Sequence, residues 1–501
     1  MTEDVSLGLM TAALAHPEKK AIVLPTGQFL NFAQYDAECN RFAQFFRDKG
    51  IRPGMRVLVF VRPGFSFVPT IFGLFRIGAV AVCIDPGMKL GQMLKCISEV
   101  QADAMVGIPR AKVVAFVFGK AFETVRIRVT VPKIYPGKFV STGPPEALIH
   151  PTAAILFTSG STGVPKGVVY THEAFRQQSN ILKRSYSITP EDVDLVLFPL
   201  FALFTADWGI TAVVSKLNPS KPAKASGEHL ADVINRFSVT HTSGSPAIFR
   251  RLAEARTPLP TLKRILMAGA QVPENLVRYF AILGVAVHTP YGATEALPLT
   301  DIDNLELAKT YDHTHKGGGT CVGRPLPGVQ IAVMAPTEDV ISKWESRLAL
   351  EPFVIGEIVA KAPWISKGYF NRPEATRKAR IESWHRMGDV GYLDEQGRLW
   401  FCGRKDHRIH TDGKTVYPDP IEAMVDSAFK TRSALVGIGP KGKQKAVLVV
   451  EGRRSKKLAK DLKTHAQMIS EVTFRRRLPV DVRHNIKLDR PRIARDLERS
   501  L

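Results

Sequence analysis

A run rich in glycine and hydroxyl side chains, from Thr158 to Gly167, follows directly on the apolar segment Ala153–Phe157. Such a segment is typical of a buried strand. Three glycines let the backbone approach an anion closely, the hydroxyls supply neutral donors and Lys166 supplies a positive charge, so the run predicts a phosphate-binding loop. It lacks the Gly-Lys-Ser/Thr tripeptide of the common nucleotide P-loop. The loop residues assigned to the phosphates are Thr158, Ser159, Gly160, Ser161, Thr162, Gly163 and Lys166.

Size and composition indicate a globular chain of more than one domain. The chain has 501 residues, of which 45% are hydrophobic and 23% are charged, enough to bury a sizeable core. No apolar stretch reaches membrane-spanning length. The nearest, Phe67–Asp85, contains Arg76 and predicts a buried helix followed by a strand. The N-terminus shows no basic region and no signal-type apolar core, so we expect a cytoplasmic protein.

The cysteines and the net charge limit the kinds of site and partner that this chain can have. Five scattered cysteines with no Cys-x-x-Cys pair argue against a disulfide framework and a zinc site. The net charge is +22, and residues 404–501 hold 24 Lys and Arg against 12 Asp and Glu. Nucleic acid, an anionic membrane surface or a phosphate-rich substrate could use this excess. Because no nucleic-acid-binding motif is present, nucleic acid is not an expected partner.

Strand-like and helix-like segments alternate through most of the chain. Arg56–Val61, Ala79–Ile84, Val193–Phe198 and Arg264–Ala268 read as strands. We therefore predict an α/β fold. Its large N-terminal region, 1–405, would contain packed mixed sheets with helices and a β subdomain from about Gly323. A small mobile α+β domain, 406–501, would follow, with a helix at 419–429 and strands at 434–438 and 446–450.

Later segments carry groups that a nucleoside triphosphate needs. Pro290–Glu295 combines an aromatic ring with a carboxylate, and Mg²⁺ takes oxygen ligands. Asp389 lies on a predicted tight turn, where a carboxylate can accept both hydroxyls of a ribose. Three more segments stand in order along the chain: Ala268–Pro273, Gly403–Asp406 and Pro479–Leu488, the last with Lys487.

In this order and spacing the motifs resemble those of the adenylate-forming enzymes, such as acyl-CoA synthetases and luciferases. The resemblance covers nearly the whole chain and implies activation of a carboxylate with ATP and Mg²⁺ to acyl-AMP and pyrophosphate. It implies Glu295 and Thr158 as metal ligands, Tyr291 against adenine, and Asp389 on the ribose. It places Asp406 at an interdomain hinge and makes Lys487, Lys166 and Glu295 catalytic. The remaining nucleotide-site residues that it implies are Gly269, Ala270, Gly292, Thr294 and Arg404.

The acyl side of the resemblance points to one branch of this family. Many fatty acyl-CoA synthetases have Pro-Leu-Phe-His where this chain has Pro199–Ala202, so an alanine replaces the histidine. The predicted acyl wall is apolar and comprises Phe201, Ala202, Phe204 and Trp208. Pro199–Phe204, Gly319–Gly323 and Pro479–Asn485 look like the β-lactone synthetases of bacterial olefin biosynthesis, which act on 2-alkyl-3-hydroxy acids without CoA.

Two other interpretations stay open from the sequence. A long-chain fatty acid–CoA ligase would form a thioester through the same acyl-AMP, and a non-catalytic basic protein could retain the synthetase fold. Expected partners are a long-chain acyl substrate, an anionic membrane surface, olefin-pathway enzymes and a second copy of the chain in a homodimer. His172 and His241 are candidate acceptors for the hydroxyl proton, although a structural role suits each better.

Overall fold

The computed structural model describes residues 5–134, 150–158, 165–215, 217, 224–480 and 488–499. Its elements in the first stretch are α1 (Leu7–Ala15), β1 (Lys20–Val23), β2 (Phe29–Asn31), α2 (Phe32–Asp48), β3 (Arg56–Phe60), α3 (Phe67–Arg76), β4 (Val80–Ile84), α4 (Leu90–Val100), β5 (Ala104–Gly107), α5 (Pro109–Val117) and β6 (Ile127–Thr130). A short 3₁₀ helix, Gly119–Phe122, lies between α5 and β6.

The middle of the chain continues the same alternation. It contains β7 (Thr152–Thr158), β8 (Lys166–Thr171), α6 (His172–Ser185), β9 (Val193–Val196), α7 (Phe201–Trp208), β10 (Thr211–Val214), α8 (Gly227–Arg236), β11 (His241–Gly244), α9 (Pro246–Glu254), β12 (Arg264–Met267), α10 (Glu274–Ile282) and β13 (Ala286–His288).

Strands dominate the next stretch. It contains β14 (Tyr291–Ala293), β15 (Ala296–Asp301), α11 (Asn304–Ala308), α12 (Tyr311–His315), β16 (Thr320–Pro325), β17 (Gln330–Met334), β18 (Gly356–Lys361), α13 (Pro373–Ala379), β19 (Arg380–Ile381), β20 (Trp384–Leu393) and β21 (Leu399–Arg404). Two 3₁₀ helices, Ser346–Leu348 and Lys405–His407, lie within and just after it.

The C-terminal stretch has a sheet and a core of its own. Its elements are β22 (Ile409–Thr411), β23 (Lys414–Val416), α14 (Pro418–Phe429), β24 (Ser433–Ile438), β25 (Lys445–Glu451), α15 (Lys456–His465), β26 (Glu471–Arg475) and α16 (Arg490–Glu498). The three-stranded sheet has the order β24-β25-β26. Separate apolar clusters form on its two sides, one around Val425, Leu448 and Leu462 and the other around Val436, Val449 and Ile493.

Three larger sheets form the rest of the molecule. The first has the order β6-β5-β3-β4-β7-β8 and is parallel except for β8, and the second has the order β13-β12-β11-β9-β10-β1-β2 and is parallel except for β2. The third, β14-β15-β16-β21-β20-β18-β17, is antiparallel. The predicted mixed α/β class is therefore confirmed. Since parallel strands end at the same edge of their sheet, the loops after β3, β4, β5 and β7 are brought together.

Several local predictions are also confirmed. The segment Phe67–Asp85 forms the buried helix α3 followed by β4. Helix α2 begins at a capping box, because the side chains of Asn31 and Gln34 each accept a hydrogen bond from the other's backbone N–H. Helix α3 then crosses α2 closely at Gly73, where a Cβ would lie 2.9 Å from the Cβ of Phe42.

The structure also shows the state of the cysteines and the length of the helices. All five cysteines are free, and four of them are buried. Within the described ranges, no helix is long and apolar enough to cross a membrane.

Candidate active site

One large cavity lies where the three sheets and the C-terminal stretch meet. Its volume is about 3660 Å³. The carboxyl ends of β3, β4 and β7, the β14–β15 hairpin and strand β20 contribute residues to its wall, and so does helix α14. The motifs that lie far apart in the sequence therefore border one space, which is continuous from a polar side to an apolar side.

The phosphate loop connects two antiparallel strands at this cavity. Thr158 ends β7 and pairs with Lys166, the first residue of β8. Ser159, Gly160, Ser161, Thr162 and Gly163 lie outside the described residues. The Lys166 ammonium is 4.7 Å from the centre of the Tyr369 ring. Lys166 therefore places a positive charge on the cavity wall beside an aromatic ring.

Glu295 lies at the turn of the β14–β15 hairpin. The Tyr369 hydroxyl donates to its Oε1 at 2.7 Å, and Tyr170 donates to the carbonyl of the preceding Thr294. The hairpin requires a glycine at position 292, because a Cβ there would lie only 2.4 Å from the carbonyl oxygen of Ala296. Tyr369 thus holds the carboxylate, Tyr170 holds the backbone just before it, and Glu295 lines the cavity.

Tyr291 of β14, Asp389 of β20 and Arg404 of β21 form a hydrogen-bonded group in the antiparallel sheet. The Tyr291 hydroxyl donates to Asp389 Oδ2 at 2.7 Å, and Arg404 Nη1 donates to Oδ1 at 2.7 Å. Burial opposes the charged form of Arg404, but Asp389 beside it raises the pKa of the guanidinium overall. The carboxylate predicted to hold the ribose is therefore already oriented by two donors.

The segment after β12 reaches the same wall. Gly269 has φ +91°, a left-handed conformation that suits glycine, and both Gly269 and Ala270 line the cavity. The next residue, Gln271, donates from Nε2 to Thr320 Oγ1 at 3.1 Å. This side-chain contact ties the segment to β16 of the antiparallel sheet.

The apolar side of the cavity is built mainly by α7 and its neighbours. Phe201 and Phe204 line it, and Phe204 stacks on Phe175 with ring centres 4.6 Å apart. Ala202 and Trp208 are buried and are not among the lining residues. Trp208 instead stacks behind Phe204 at 5.7 Å, because its indole N–H donates to Ser179 Oγ at 2.8 Å. Only two of the four predicted acyl-wall residues therefore face the cavity.

The predicted hinge lies on the C-terminal side of the cavity. Asp406 is exposed in the 3₁₀ helix Lys405–His407 and lines the cavity. Lys487 lies outside the described residues. Val480 and Leu488, which flank the segment that contains it, pair with each other and line the cavity.

The two histidines considered for proton transfer lie elsewhere. His172 packs edge-on against Phe75 at 5.1 Å, and His241 accepts a hydrogen bond from Arg264 Nε at 3.3 Å. Burial, together with the nearby Arg264, lowers the pKa of His241 to about 3. Neither histidine is among the cavity-lining residues, so both have structural surroundings.

Two residues of the site escaped the motif analysis. Tyr369 bridges Lys166 and Glu295, and His385, which is buried, lines the cavity with its Nδ1 unpartnered among the described residues. Gly368, directly before Tyr369, has φ +142°, a backbone conformation that favours glycine. This glycine is the sequence signal that could have pointed to Tyr369. His385 precedes Asp389 by four residues on β20, and both line the cavity.

The residues present suit a magnesium ion bound to phosphates. Glu295 offers a carboxylate oxygen to the cavity next to the phosphate loop, which fits a hard cation. In the described part of the chain, no three His, Cys, Asp or Glu side chains gather into a metal cluster. A single carboxylate together with substrate phosphates is the common way to hold Mg²⁺.

Comparisons with known proteins agree with this site. The family model described as AMP-binding enzyme matches residues 9–370. The chain is 39% identical to the olefin beta-lactone synthetase of Stenotrophomonas maltophilia, over 93% of this chain and 90% of the relative. It is 36% identical to the olefin beta-lactone synthetase of Xanthomonas campestris pv. campestris, over 98% and 97% of the two chains.

Solved structures show the same fold. An O-succinylbenzoate coenzyme A synthetase from Bacillus subtilis, in complex with AMP, has a TM-score of 0.79 at 23% identity, covering 97% of each chain. A fatty acyl CoA synthetase from Mycobacterium tuberculosis has a TM-score of 0.77 at 23% identity, covering 99% of each chain. The chain therefore belongs to the AMP-binding enzyme family. It is an ATP-dependent, AMP-forming synthetase, and it uses ATP with Mg²⁺.

Proposed function

We propose that this chain activates a long-chain 2-alkyl-3-hydroxy acid with ATP and closes the resulting acyl-AMP to a β-lactone. The observation that carries the proposal is the match to two synthetases named for this product across 93% and 98% of the chain. The cavity supports it, because the polar side with Glu295 and Asp389 is continuous with the apolar side at Phe201 and Phe204.

The reaction has two balanced steps. In the first, a carboxylate oxygen of the acid bonds to the α-phosphorus of ATP, and the bond from that phosphorus to pyrophosphate breaks. In the second, the 3-hydroxyl oxygen bonds to the acyl carbon and loses its proton, while AMP leaves with the electron pair of the broken ester bond. An internal nucleophile has a high effective concentration, equivalent to roughly 7–11 kcal/mol in favourable cases.

Residues of this chain bind and orient the nucleotide in the proposal. Asp389 accepts the ribose hydroxyls, and the ring of Tyr291 lies against adenine. Arg404 holds Asp389 and lines the cavity, where it contacts the ribose or a phosphate in the proposal. Lys166 attracts the phosphates, and Lys487 bridges the substrate carboxylate and the α-phosphate.

Glu295 is a proposed metal ligand. Thr158, the last residue of β7, is the second proposed ligand. Mg²⁺, when bound there, neutralises charge on the triphosphate and on departing pyrophosphate. Tyr369 keeps Glu295 oriented, because its hydroxyl occupies one carboxylate oxygen and leaves the other to the cavity.

The apolar side suits the alkyl chains of the proposed acid. Phe201, Leu203 and Phe204 form one wall, and Phe175 and Leu182 continue it. Such walls take hydrocarbon out of water at about 25 cal/mol per Å² buried. Ala202 leaves no imidazole next to this wall, which is compatible with long or branched acids.

We propose that residues 1–405 form the large domain and residues 406–501 a small domain that rotates. Lys405 Nζ contacts Thr337 O at 3.0 Å and Glu357 Oε2 at 3.4 Å, which ties it to the large part. The C-terminal apolar cluster starts at Ile409. Asp406 lies between these two anchors and is exposed, as a hinge residue needs to be.

Asp406→Pro tests the hinge. Proline fixes φ near −65°, so the variant should adenylate in one domain orientation and lose any step that needs the other. Rates of pyrophosphate exchange and of total product formation are compared with those of Asp412→Pro, which lies at the β22–β23 turn. Full turnover of Asp406→Pro through both half-reactions would place the hinge elsewhere.

The product assay tests the reaction itself. The enzyme is incubated with ATP, Mg²⁺ and either a syn 2-alkyl-3-hydroxy acid or a plain fatty acid, with and without CoA. We expect AMP, pyrophosphate and a lactone from the hydroxy acid alone, and the lactone should lose CO₂ on heating to leave an alkene. Added CoA should change neither rate nor product.

Two outcomes would contradict the proposal at different levels. Turnover that depends strictly on CoA and releases a thioester would make the chain a fatty acid–CoA ligase. ADP as the main nucleotide product would remove the adenylation step itself. A cytoplasmic location, a homodimer and association with olefin-pathway enzymes stay predictions, which fractionation and pull-down from the native cells would test.

A further inference from the structure

Helix α5 has two apolar faces, and only one of them packs on the protein. Ala115 is fully buried, and Ala111, Val114 and Phe118 pack against the same core. On the opposite face, Val113, Phe116 and Val117 are 62%, 82% and 65% exposed. At 100° per residue these three side chains form one strip along the helix. No other described helix exposes three large apolar side chains on one face.

Basic side chains border this strip. Arg110 and Lys112 lie on its two sides by helical spacing, and Lys120 follows in the adjoining 3₁₀ helix. None of these three forms an ion pair with a described residue, and α5 contains no acidic residue. An exposed apolar strip between unpaired cations is the arrangement by which a helix lies in the headgroup region of an anionic bilayer.

The strip adjoins the apolar cavity. Arg110, Ala111 and Val114 of the same helix line the cavity, as do Lys89 and Met93 at the start of α4. Leu90, in the first turn of α4, is 48% exposed at this rim. A surface that contacts lipid here would bring the cavity wall next to the bilayer.

We infer that the exposed face of α5 docks the enzyme on an anionic membrane surface. The inference rests on the proposed function in one respect, because a long-chain acid resides in lipid and has to enter the cavity from there. A protein partner fits the face less well. Three side chains on one convex helix offer far less than the roughly 800 Å² per partner of a stable protein interface.

Vesicle co-sedimentation tests the docking without any substrate. The full chain is mixed with vesicles of phosphatidylcholine alone or of phosphatidylcholine with phosphatidylglycerol. We expect binding to the anionic vesicles, weakened by salt. The triple variant Val113→Ser, Phe116→Ser, Val117→Ser should bind at least about tenfold more weakly, because the inserted apolar area is lost. The matched control is Ile282→Ser with Leu283→Ser, an exposed apolar pair on α10.

A second pair of variants separates α5 from the basic C-terminal stretch. Lys112→Gln with Lys120→Gln should weaken anionic-vesicle binding about thirtyfold, since each lysine near the surface contributes about fivefold. Lys456→Gln with Lys460→Gln, both exposed on α15, should leave binding within about twofold of wild type if α5 carries it. The reverse pattern would assign the membrane surface to α15 and overturn the inference.

Activity and oligomeric state complete the test. Turnover of a short, water-soluble acid should be equal in all variants, while turnover of a long acid supplied in vesicles should fall only in the α5 variants. Wild-type protein that binds neither vesicle would overturn the inference, as would a triple-serine variant with a changed oligomeric state, which would make the face an interface between copies. Failure of lactone formation with intact vesicle binding would instead reject only the proposed function.

Discussion

Two arginine–carboxylate groups line the same cavity, and they differ in how far the arginine side chain is exposed. Arg404 pairs with Asp389 at 2.7 Å, and its side chain is 31% exposed. Arg490 pairs with Glu422 at 2.6 Å and with Asp419 at 3.0 Å, and its side chain is only 11% exposed. The first group belongs to the antiparallel sheet and the second joins α16 to α14.

This difference separates a group that can receive a ligand from one that holds the protein together. In the first group, Asp389 is shared between Arg404 and the Tyr291 hydroxyl, and either donor can be exchanged for a ribose hydroxyl. In the second group, burial raises the pKa of Glu422, and Arg490 opposes that shift. Arg490 also lies three residues after Lys487, so it anchors the end of the segment that carries the proposed catalytic lysine.

The largest expected effect is on stability. Arg490→Met leaves the buried Glu422 and the half-buried Asp419 without their cation and should lower the free energy of unfolding by about 3–5 kcal/mol. Arg404→Met should cost about 1–3 kcal/mol, because Asp389 keeps its hydrogen bond from Tyr291. Urea unfolding of both variants measures the difference, with the exposed Arg492→Met as a control expected within about 0.5 kcal/mol of wild type. Equal losses of unfolding free energy in the Arg490 and Arg404 variants would show that the two groups do not differ in their contribution to stability.

Lys487→Ala should have the next largest effect, this time on the rate. Loss of one preorganised cation in the transition state should slow adenylation by about 10²–10³. Thermal stability should stay near that of wild type, which separates the proposed catalytic role of Lys487 from the structural role of Arg490. Pyrophosphate exchange measures the rate, and Arg483→Ala, in the same segment, is the control. Adenylation at wild-type speed would transfer the role to another cation.

Acid should destabilise the protein through buried histidines on both sides of the cavity. Burial lowers the pKa of His385 in the antiparallel sheet and of His407 after it to about 4. The unfolded chain binds these protons near pH 6.5. The stability that each neutral imidazole contributes above pH 6.5 is therefore lost as the pH falls towards 4, by at most about 1.4 kcal/mol per pH unit for each histidine.

His385→Phe and His407→Phe measure the two contributions separately. Each variant should flatten the decline of the unfolding free energy between pH 6.5 and 4, relative to its value at pH 7. A slope that stays at the wild-type value in His385→Phe would show that its imidazole already carries a proton in the folded protein near neutral pH.

The smallest effect is expected from the Tyr291 hydroxyl. Tyr291→Phe removes its hydrogen bond to Asp389, but Arg404 still holds the carboxylate, so the KM for ATP should rise less than about tenfold. Tyr291→Ala should raise it more, because base–aromatic stacking contributes about 1–3 kcal/mol. If the two variants are equally impaired, the ring does not bind adenine.

Local patterns made much of the fold predictable. Runs such as Val193–Phe198 and Arg264–Ala268 have the composition of buried parallel strands, and the structure has β9 and β12 there. The motif order also placed Tyr291, Glu295, Asp389 and Arg404 in one site before any contact was known, and the structure brings these four to the same cavity.

Contacts between distant segments could not be read in this way. Tyr369 reaches Glu295 from 74 positions along the chain, and Arg490 reaches Glu422 from 68 positions, and no local pattern indicates either pairing. The acyl wall shows the same limit. The sequence showed that Trp208 is apolar and close to Phe204, but not that a hydrogen bond to Ser179 turns its indole away from the cavity.

Gly403 sets how near the C-terminal stretch can come to the rest of the molecule. Its φ is +119°, and a Cβ there would lie 2.1 Å from Asp419 Oδ2 of α14. A side chain at this position would clash with the Asp419 carboxylate before α14 could pack against β21. The absence of a Cβ at Gly403 therefore allows α14 to pack this closely on β21.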